Sequence, residues 1–242
     1  MKALVLAGGR GQRLEGISTQ QNKCMLTLNG RPVIENSLNI AARDEIDEVI
    51  IVVGYRAEDI INNYGNKYKG KSVRYVIQRE QHGLVDAIEC SRKALGNDDF
   101  ILLLGDEILI NPRHKEMMEK FRKEELFGVC GVAIEHDRTK ISKTYAILSE
   151  EKDNRILRLI EKPRRACNDL MGLGNCIFKN EILTYIELTP INQQRSEKEL
   201  PDLIQCAIDE GHLIKWFRLC DRYININCEE DLKEAEQLRS IM

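Results

Sequence analysis

Short apolar runs alternate with amphipathic segments along the first half of the chain. Runs with the length and composition of buried strands lie at 2–6, 48–53, 73–77 and 100–104. Segments whose apolar residues recur at helical spacing lie at 33–42, 57–64, 84–95 and 114–124. This alternation predicts an α/β fold in which a mixed, mainly parallel sheet is flanked by helices.

The second half of the chain is richer in predicted strands. We place them at 128–134, 145–149, 156–160 and 174–178, followed by a last pair of strands near Trp216 and Ile224. Helices are predicted from Glu181, from Lys198 and over 229–241. Since neither a repeat nor a Pro/Gly/Ser-rich linker separates the halves, we expect one domain over 1–242 with two functional halves, 1–127 and 128–242.

Charge and hydropathy exclude several classes of partner. The formal net charge is −3, from 36 basic and 39 acidic residues, which gives no electrostatic reason to expect a nucleic acid or an anionic membrane. No apolar run approaches the roughly 20 residues of a membrane span, and the N-terminus lacks the pattern of a signal peptide. We therefore expect a cytoplasmic protein with small-molecule ligands, and a homo-oligomer is left open.

The eight cysteines form no Cys-x-x-Cys pair and lie mostly within apolar stretches. This pattern is typical of cysteines that serve as small hydrophobic residues in a reducing compartment, so we expect neither disulfides nor zinc. The four histidines are scattered without metal-ligand spacing. His82 alone lies near a motif, and a solvated loop position is its expected setting.

A glycine-rich turn follows the first predicted strand directly. The strand end and turn comprise Leu6, Ala7, Gly8, Gly9 and Gly11. Glycines allow the backbone N–H groups to approach an anion closely, and Arg13 and Lys23 supply positive charge, so the segment predicts a phosphate-binding loop. It is not a P-loop, and Leu14 replaces the third glycine of the dinucleotide-binding fingerprint.

Two other strand ends carry candidate binding residues, because ligands collect at the carboxyl ends of parallel strands. After the third strand come Gln78 and, five positions later, Gly83. They are suited either to reading a nucleobase edge or, more plainly, to a surface position and a helix start. Asp106 follows the fourth strand, where a carboxylate favours either a Mg²⁺ ion among phosphates or a simple turn.

The loop together with Leu14, Lys23 and Met25 resembles the LAGGxGxRL and Lys-Pro-Met signature of the sugar-phosphate nucleotidyltransferases, the family typified by glucose-1-phosphate thymidylyltransferase. Cys24 replaces the usual proline and Glu15-Gly16 replaces the usual Arg/Tyr-Pro, and these two departures predict a looser turn before the lysine. The resemblance implies a Rossmann-like fold of the nucleotide-diphospho-sugar transferase type. It also implies a nucleotide-binding half at 1–127 and a sugar-phosphate-binding half at 128–242.

The resemblance extends to further segments and implies roles for their residues. Gln78 and Gly83 resemble the segment that holds a pyrimidine base, and Asp106 resembles the metal-binding aspartate. In the second half, residues resembling those of the family's sugar pocket are Tyr145, Glu161, Lys162 and Asn175. Lysine suits a phosphoryl group as a point charge, while glutamate and asparagine can bind sugar hydroxyls.

One position departs from the family pattern. The family usually has a second metal-binding aspartate in a strand after the tryptophan-containing segment, and here Asn225 and Asn227 stand at the two candidate positions. An amide oxygen can bind Mg²⁺ but brings no charge. We therefore expect Asp106 and Asn225 to form a weaker metal site.

The resemblance implies an enzyme that condenses a nucleoside triphosphate, dTTP or UTP, with a sugar 1-phosphate to give a sugar nucleotide and pyrophosphate. Arg13, Lys23 and Lys162 would be the catalytic residues, and Mg²⁺ the cofactor. A CTP-dependent cytidylyltransferase acting on a phosphocholine, phosphonate or polyol phosphate is an alternative, as is a nucleotide-binding regulator without turnover. The glycine loop itself disfavours a Rossmann dehydrogenase.

Overall fold

The structure is a computed structural model that describes residues 1–9 and 21–240. The strands of the first half are β1 (Lys2–Ala7), β2 (Thr27–Leu28), β3 (Arg31–Pro32), β4 (Glu48–Val53), β5 (Lys67–Tyr68), β6 (Lys71–Ile77), β7 (Phe100–Leu104) and β8 (Glu107–Ile110). Those of the second half are β9 (Gly128–Ile134), β10 (Tyr145–Ser149), β11 (Ile156–Glu161), β12 (Leu170–Phe178), β13 (Ile191–Asn192), β14 (Glu197–Lys198), β15 (Ile214–Arg218) and β16 (Arg222–Asn225).

Helices connect these strands. The α-helices are α1 (Glu35–Ala41), α2 (Ala57–Tyr64), α3 (Leu84–Cys90), α4 (Arg92–Leu95), α5 (His114–Lys123), α6 (Arg138–Ile141), α7 (Leu200–Asp209) and α8 (Glu229–Ser240). Two 3₁₀ helices cover Lys23–Met25 and Asn180–Tyr185. Within the described ranges, no helix is long and apolar enough to cross a membrane.

Ten of the described strands form one mixed sheet. Its main order is β11-β10-β12-β7-β1-β4-β6-β5, and β9 joins it by pairing with β12 and with β15. β1 pairs in parallel with β4 and β7, and β4 with β6, whereas β12 pairs antiparallel with β7, β9 and β10. The predicted α/β class with a mixed sheet flanked by helices is therefore confirmed.

Burial on both faces explains the apolar runs of the central strands. Ala3 and Val5 of β1 pack into a core on one side of the sheet, and Leu4, which lies between them, packs into a core on the other. All three side chains are fully buried. A strand covered on both sides has no solvent-facing positions, so its sequence is continuously apolar instead of alternating.

Some predicted elements differ from the observed ones. The helix predicted over 84–95 is divided at the buried Ser91, whose hydroxyl donates to the Ala87 carbonyl at 3.0 Å. The segment from Glu181 lies in a 3₁₀ helix. Both strands predicted near Trp216 and Ile224 are present as β15 and β16, but they do not pair with each other, since β15 pairs with β9 and β16 with β8. Short β8, which follows a turn after β7, was missed altogether.

The topology brings the candidate residues to one edge of the sheet. The parallel strands β1 and β7 end side by side, where the Gly105 N–H donates to the Leu6 carbonyl at 2.9 Å. The turn after β7 then leads into β8, whose first residue, Glu107, lies opposite Asn225 of β16. Residues from both halves of the chain therefore meet at the carboxyl ends of β1 and β7.

Candidate active site

The glycine loop begins at the end of β1. The carbonyl of Gly8 accepts a hydrogen bond from the Tyr55 N–H at 3.1 Å, which ties the loop to the turn after β4. Apart from its chain neighbours, no atom of the described residues would lie within 4 Å of a Cβ at Gly9. Gly11 and the predicted catalytic residue Arg13 lie outside the described residues.

Gln78 lies directly beside this loop. Its side chain is buried, and a Cβ atom at Gly8 would come 3.1 Å from the Gln78 Oε1. The Gln78 amide donates to the Gly83 carbonyl at 3.1 Å and to Asp86 Oδ2 at 2.7 Å. The structure therefore brings Gln78 and Gly8 together, and the amide nitrogen of Gln78 is already bonded within the protein.

Gly83 requires a glycine for two reasons. Its φ of +96° lies in a region that other residues rarely adopt. A Cβ atom at Gly83 would also lie 2.9 Å from Glu197 Oε2. Since Glu197 belongs to the second half of the chain, Gly83 marks where the predicted nucleotide side meets the predicted sugar side.

Lys23 and Asp106 form an ion pair that links the segment after the glycine loop to the turn after β7. Their side chains are 11% and 19% exposed, so both are partly shielded from solvent. A lysine held against a carboxylate can leave it and form an ion pair with an incoming anion instead. A cation can in turn take its place at the carboxylate.

Asn225 lies next to this pair and has an unsatisfied polar atom. The backbone N–H of Ile226 donates to the Asp106 carbonyl at 3.0 Å, so the turn that carries Asp106 is in contact with the end of β16, where Asn225 lies. Oδ1 of Asn225 is buried and has no hydrogen-bond partner among residues 1–9 and 21–240. A buried oxygen without a donor is suited to a cation, and one carboxylate plus one amide fits an ion that completes its shell with phosphate and water. The described residues contain no cluster of three or more Asp, Glu, His or Cys side chains around a metal position.

Glu107 was missed by the sequence analysis. Its carboxylate is buried and accepts hydrogen bonds from the Gly174 N–H at 3.1 Å, from the Tyr223 hydroxyl at 2.9 Å and from the Asn175 amide. Burial, reinforced by the charge of Asp106, raises the pKa of Glu107 to about 8, although these three donors oppose the shift. The sequence shows Glu107 directly after Asp106, but its burial results from the pairing of β8 with β16, which was not predicted.

Asn175 is placed differently from the prediction of a direct sugar ligand. It is fully buried, and its Oδ1 accepts a hydrogen bond from His114 Nε2 at 2.8 Å while its amide donates to Glu107. Both ends of the side chain are thus bonded inside the protein. Glu107, to which the Asn175 amide donates, lines the cavity described next, and the contact of Asn175 with a sugar stays a prediction.

A cavity of about 660 Å³ lies on the sugar side of this edge. Its wall includes the predicted residues Tyr145, Glu161, Lys162 and Asn225. The Tyr145 ring packs against Gly172, and its hydroxyl donates to the Leu173 carbonyl at 2.8 Å, so this residue contributes a flat apolar wall. A volume of this size is typical of small-molecule sites.

Lys162 and Glu161 lie at the end of β11. Lys162 has a φ of +41°, an uncommon conformation for a side chain with a Cβ, and its N–H donates to the Thr144 carbonyl at 2.7 Å. Its ammonium lies 3.2 Å from Glu161 Oε1. Burial raises the pKa of Glu161, and the charges of Lys162 and Arg195 oppose that shift.

Arg195 is a further cation that lines the cavity, beside Lys162, and it was not predicted from the sequence. It lies in the connection between β13 and β14 and reaches Glu161 at 3.3 Å, Glu199 at 2.8 Å and Glu197 at 3.6 Å. It occupies a polar stretch without helix or strand periodicity, and nothing in that pattern places it at the site. With Lys162, it gives the acid-lined wall two positive charges.

Comparison with known proteins identifies the class of protein that this fold and site define. A family model described as nucleotidyl transferase matches residues 2–220. The chain therefore belongs to the nucleotidyl transferase family, and the predicted class of sugar-phosphate nucleotidyltransferase is confirmed.

Particular relatives point in the same direction. The UTP–glucose-1-phosphate uridylyltransferase AglF of Haloferax volcanii is 30% identical over 238 residues, which cover 98% of this chain and 96% of the relative. A glucose-1-phosphate thymidylyltransferase of Streptomyces griseus is 30% identical over 217 residues, or 89% of this chain, and here the match spans 59% of the relative's length.

Solved structures show the same fold. A UDP-glucose pyrophosphorylase in complex with UDP-glucose superposes with a TM-score of 0.87 at 21% identity, covering 99% of this chain and 98% of the other. A UTP-bound UGPase from Acinetobacter baumannii gives a TM-score of 0.84 at 19% identity, with 99% and 93% coverage.

Proposed function

We propose that this protein condenses a nucleoside triphosphate with a sugar 1-phosphate, producing a sugar nucleotide and pyrophosphate. The observation that carries the proposal is the position of the Lys23–Asp106 ion pair. It lies at the ends of β1 and β7, with the glycine loop on one side and the cavity that contains Lys162 on the other. A lysine at that junction is suited to contact both phosphates at once.

The triphosphate would bind at the end of β1. The N–H groups of the glycine loop and the charge of Arg13 would hold its phosphates and stabilise the departing pyrophosphate, as in the family that the loop resembles. Gln78 and Gly83 would hold the base, with Gln78 Oε1 directed at the Gly8 side of the site. Because Gly8 and Gln78 are in contact, the base and the phosphates would be fixed by one rigid unit.

The acceptor would occupy the cavity, with its phosphate toward Lys23. Lys162 and Arg195 would orient that phosphate, and Glu161 would accept hydrogen bonds from sugar hydroxyls. A phosphate oxygen of the acceptor would attack the α-phosphorus in line, breaking its bond to the pyrophosphate without a covalent enzyme intermediate. Catalysis would come from holding two anions together and neutralising their charge.

The metal would be Mg²⁺, held by the Asp106 carboxylate and by Oδ1 of Asn225. The unpartnered Asn225 oxygen beside Asp106 fits such an ion. When bound, Mg²⁺ would supply positive charge to the triphosphate oxygens. Lys23 would then be released from Asp106 and would contact phosphate instead.

For the substrates, we propose dTTP or UTP with a hexose 1-phosphate. The relatives named above are a uridylyltransferase and a thymidylyltransferase for glucose 1-phosphate, which makes that acceptor the first to test. The buried Gln78 beside Gly83 supports a pyrimidine base.

A pyrophosphate-release screen tests the proposal. Purified protein with Mg²⁺ is offered ATP, GTP, CTP, UTP and dTTP, each against sugar 1-phosphates, phosphocholine, phosphonates and polyol phosphates. Release with UTP or dTTP and a sugar 1-phosphate supports the proposal. Release confined to CTP with a non-sugar acceptor would make the protein a cytidylyltransferase, and triphosphate binding without release from any pair would make it a regulator.

A further inference from the structure

Asn22, the residue immediately before Lys23, is fully buried and bonded on every side. Its amide nitrogen donates to the Ala7 carbonyl at 3.2 Å and to the Tyr55 carbonyl at 2.7 Å. Its Oδ1 accepts the Cys24 N–H at 2.8 Å, and its own backbone N–H donates to Asp59 Oδ2 at 2.7 Å. One asparagine thus joins the end of β1, the turn after β4, helix α2 and the short 3₁₀ helix that carries Lys23.

These bonds fix the backbone from which Lys23 extends. The 3₁₀ helix Lys23–Met25 is a single turn, and such a short helix has little stability of its own. Asn22 caps it through Oδ1 and anchors it to the β1 end through the amide nitrogen. The Lys23 ammonium, at the far end of a flexible side chain, then meets Asp106.

Cys24 contributes to this arrangement through its backbone. The cap needs the Cys24 N–H, which a proline would not have. Its thiol is buried, and burial raises the pKa of that thiol to about 12, so it is no nucleophile. The substitution of cysteine for the family's proline therefore coincides with a hydrogen bond that proline would prevent.

We infer that Asn22 is the positioning residue that holds Lys23 in place. The N–H of Cys24 contributes by donating its hydrogen bond to Asn22 Oδ1. Residues 10–20 of the turn that was predicted to be looser lie outside the described residues, and the buried amide holds its last residue, Asn22. The inference rests on the proposed function to the extent that it gives Lys23 a role with phosphates.

A double-mutant cycle tests the inference. Asn22→Ser keeps an oxygen that can cap Cys24 but removes the donors to Ala7 and Tyr55. Because displacing a catalytic group by about 1 Å can cost ~100-fold, we expect Asn22→Ser to lower kcat by about 10- to 100-fold. In a Lys23→Ala background the same change should cost less than about 3-fold, since nothing remains to be positioned. Equal losses in both backgrounds would overturn the inference.

Asn168 provides a matched control. Its amide also donates to a strand carbonyl, that of Ile147 at 2.7 Å, and its Oδ1 accepts the N–H of the residue two positions later, Leu170, at 3.1 Å. Asn168→Ser should therefore leave kcat unchanged. A loss equal to that of Asn22→Ser would mean that such bonds act through general stability.

Two variants of Cys24 test the backbone contribution without touching Asn22. Cys24→Ala keeps the N–H and should stay within about 3-fold of the wild-type kcat, whereas Cys24→Pro should lower kcat at least about 10-fold although it restores the family's residue. Equal activity of the two variants would refute the role of the N–H. The comparison of Cys24→Ala with Cys24→Pro also tests the inference if Asn22→Ser does not fold.

A stability measurement separates this inference from the proposed function. Urea unfolding of Lys23→Ala, Asp106→Ala and the double variant gives the coupling between Lys23 and Asp106 without any substrate. We expect that coupling to fall by at least about half in the Asn22→Ser background. An unchanged coupling would contradict the inference, even if the protein proves to be active, and a reduced one would support it even if no pair of substrates reacts.

Discussion

The ammonium of Lys23 lies against the carboxylate of Asp106, and this contact joins the segment after the glycine loop to the turn after β7. The two residues are 83 positions apart in the sequence, and neither lies in a strand. They meet because β1 and β7 are neighbours in the sheet. In the absence of ligands the two charges neutralise each other. Binding of a triphosphate with its metal would provide each with a new partner.

Replacement of Asp106 by asparagine should abolish most of the activity. The change removes the one carboxylate assigned to the metal, and loss of preorganised charge typically costs about 100-fold or more in kcat. The fold should persist, because the Asp106 carbonyl still accepts the Ile226 N–H. Asp98→Asn is the control, since Asp98 also pairs with a lysine, Lys2 at 3.1 Å, but lies outside the site. Wild-type rates for Asp106→Asn at limiting Mg²⁺ would refute the assignment.

Replacement of Gln78 by alanine should relax the choice among triphosphates. If a base is read here, we expect discrimination between pyrimidine and purine triphosphates to fall by about 1–3 kcal/mol, measured as ratios of kcat/KM. Gln205→Ala is the control. Gln205 is also buried, but its Oε1 accepts the Leu159 N–H at 3.0 Å far along the chain, so this change should lower stability alone. An unchanged preference in Gln78→Ala would reduce Gln78 to a structural role beside Gly83.

The sequence alone predicted the bounds of the strands that are buried on both faces, and it showed the motifs that follow them. β4, β7, β9 and β10 begin and end where the apolar runs predict, and in β4, β7 and β9 burial of both faces demands those runs. The ion pair between Lys23 and Asp106 was not predicted, because Lys23 lies sixteen residues after the end of β1 and its position depends on the fold of the intervening segment.

The missed residues depend on pairings that leave no periodic signal. β8 has four residues, and its pairing with β16 is what turns Glu107 inward and places Asn225 opposite it. Arg195 reaches the cavity from the connection of a hairpin with two-residue strands. Asn175 lies in a recognisable motif, but its partner His114 comes from a distant helix, so no local pattern could reveal that its amide is already bonded.

Asn225→Asp should strengthen metal binding. A second carboxylate beside Asp106 raises the affinity for hard cations, so the Mg²⁺ concentration for half-maximal activity should fall. Without metal, the new charge next to Asp106 and Glu107 should lower the melting temperature, and Mg²⁺ should restore it. Asn227→Asp is the matched control, because Asn227 also lines the cavity while its amide donates to the Asn225 carbonyl at 3.3 Å. Coincident Mg²⁺ titrations for wild type and Asn225→Asp would place Asn225 outside the metal site.

His114 should make stability depend on pH below neutrality. Burial lowers the pKa of His114 from 6.5 to about 4. Between these values the unfolded chain binds more protons than the folded protein, so stability contributed by the neutral imidazole is present above pH 6.5 and is lost as the pH falls toward 4. This shift corresponds to a loss of about 2 kcal/mol between pH 7.5 and pH 5.

The variant His114→Gln isolates that contribution, because glutamine can still donate to Asn175 but does not titrate. Between pH 7.5 and pH 5, the free energy of unfolding in urea should fall about 2 kcal/mol further for wild type than for His114→Gln. The exposed His82 serves as control, and His82→Gln should follow the wild-type pH dependence. Parallel curves for wild type and His114→Gln would contradict the assigned shift.

The central claim is that one displacement at the Lys23–Asp106 junction joins a triphosphate to a sugar 1-phosphate. Phosphorus NMR follows this reaction directly, with UTP or dTTP, glucose 1-phosphate or the best acceptor of the screen, Mg²⁺ and the purified protein. The account predicts that the signals of a nucleoside diphosphate sugar and of pyrophosphate appear in equal amounts, and that Lys23→Ala suppresses both. Hydrolysis of the triphosphate to a diphosphate and inorganic phosphate, or a triphosphate that remains unchanged with every acceptor, would contradict it.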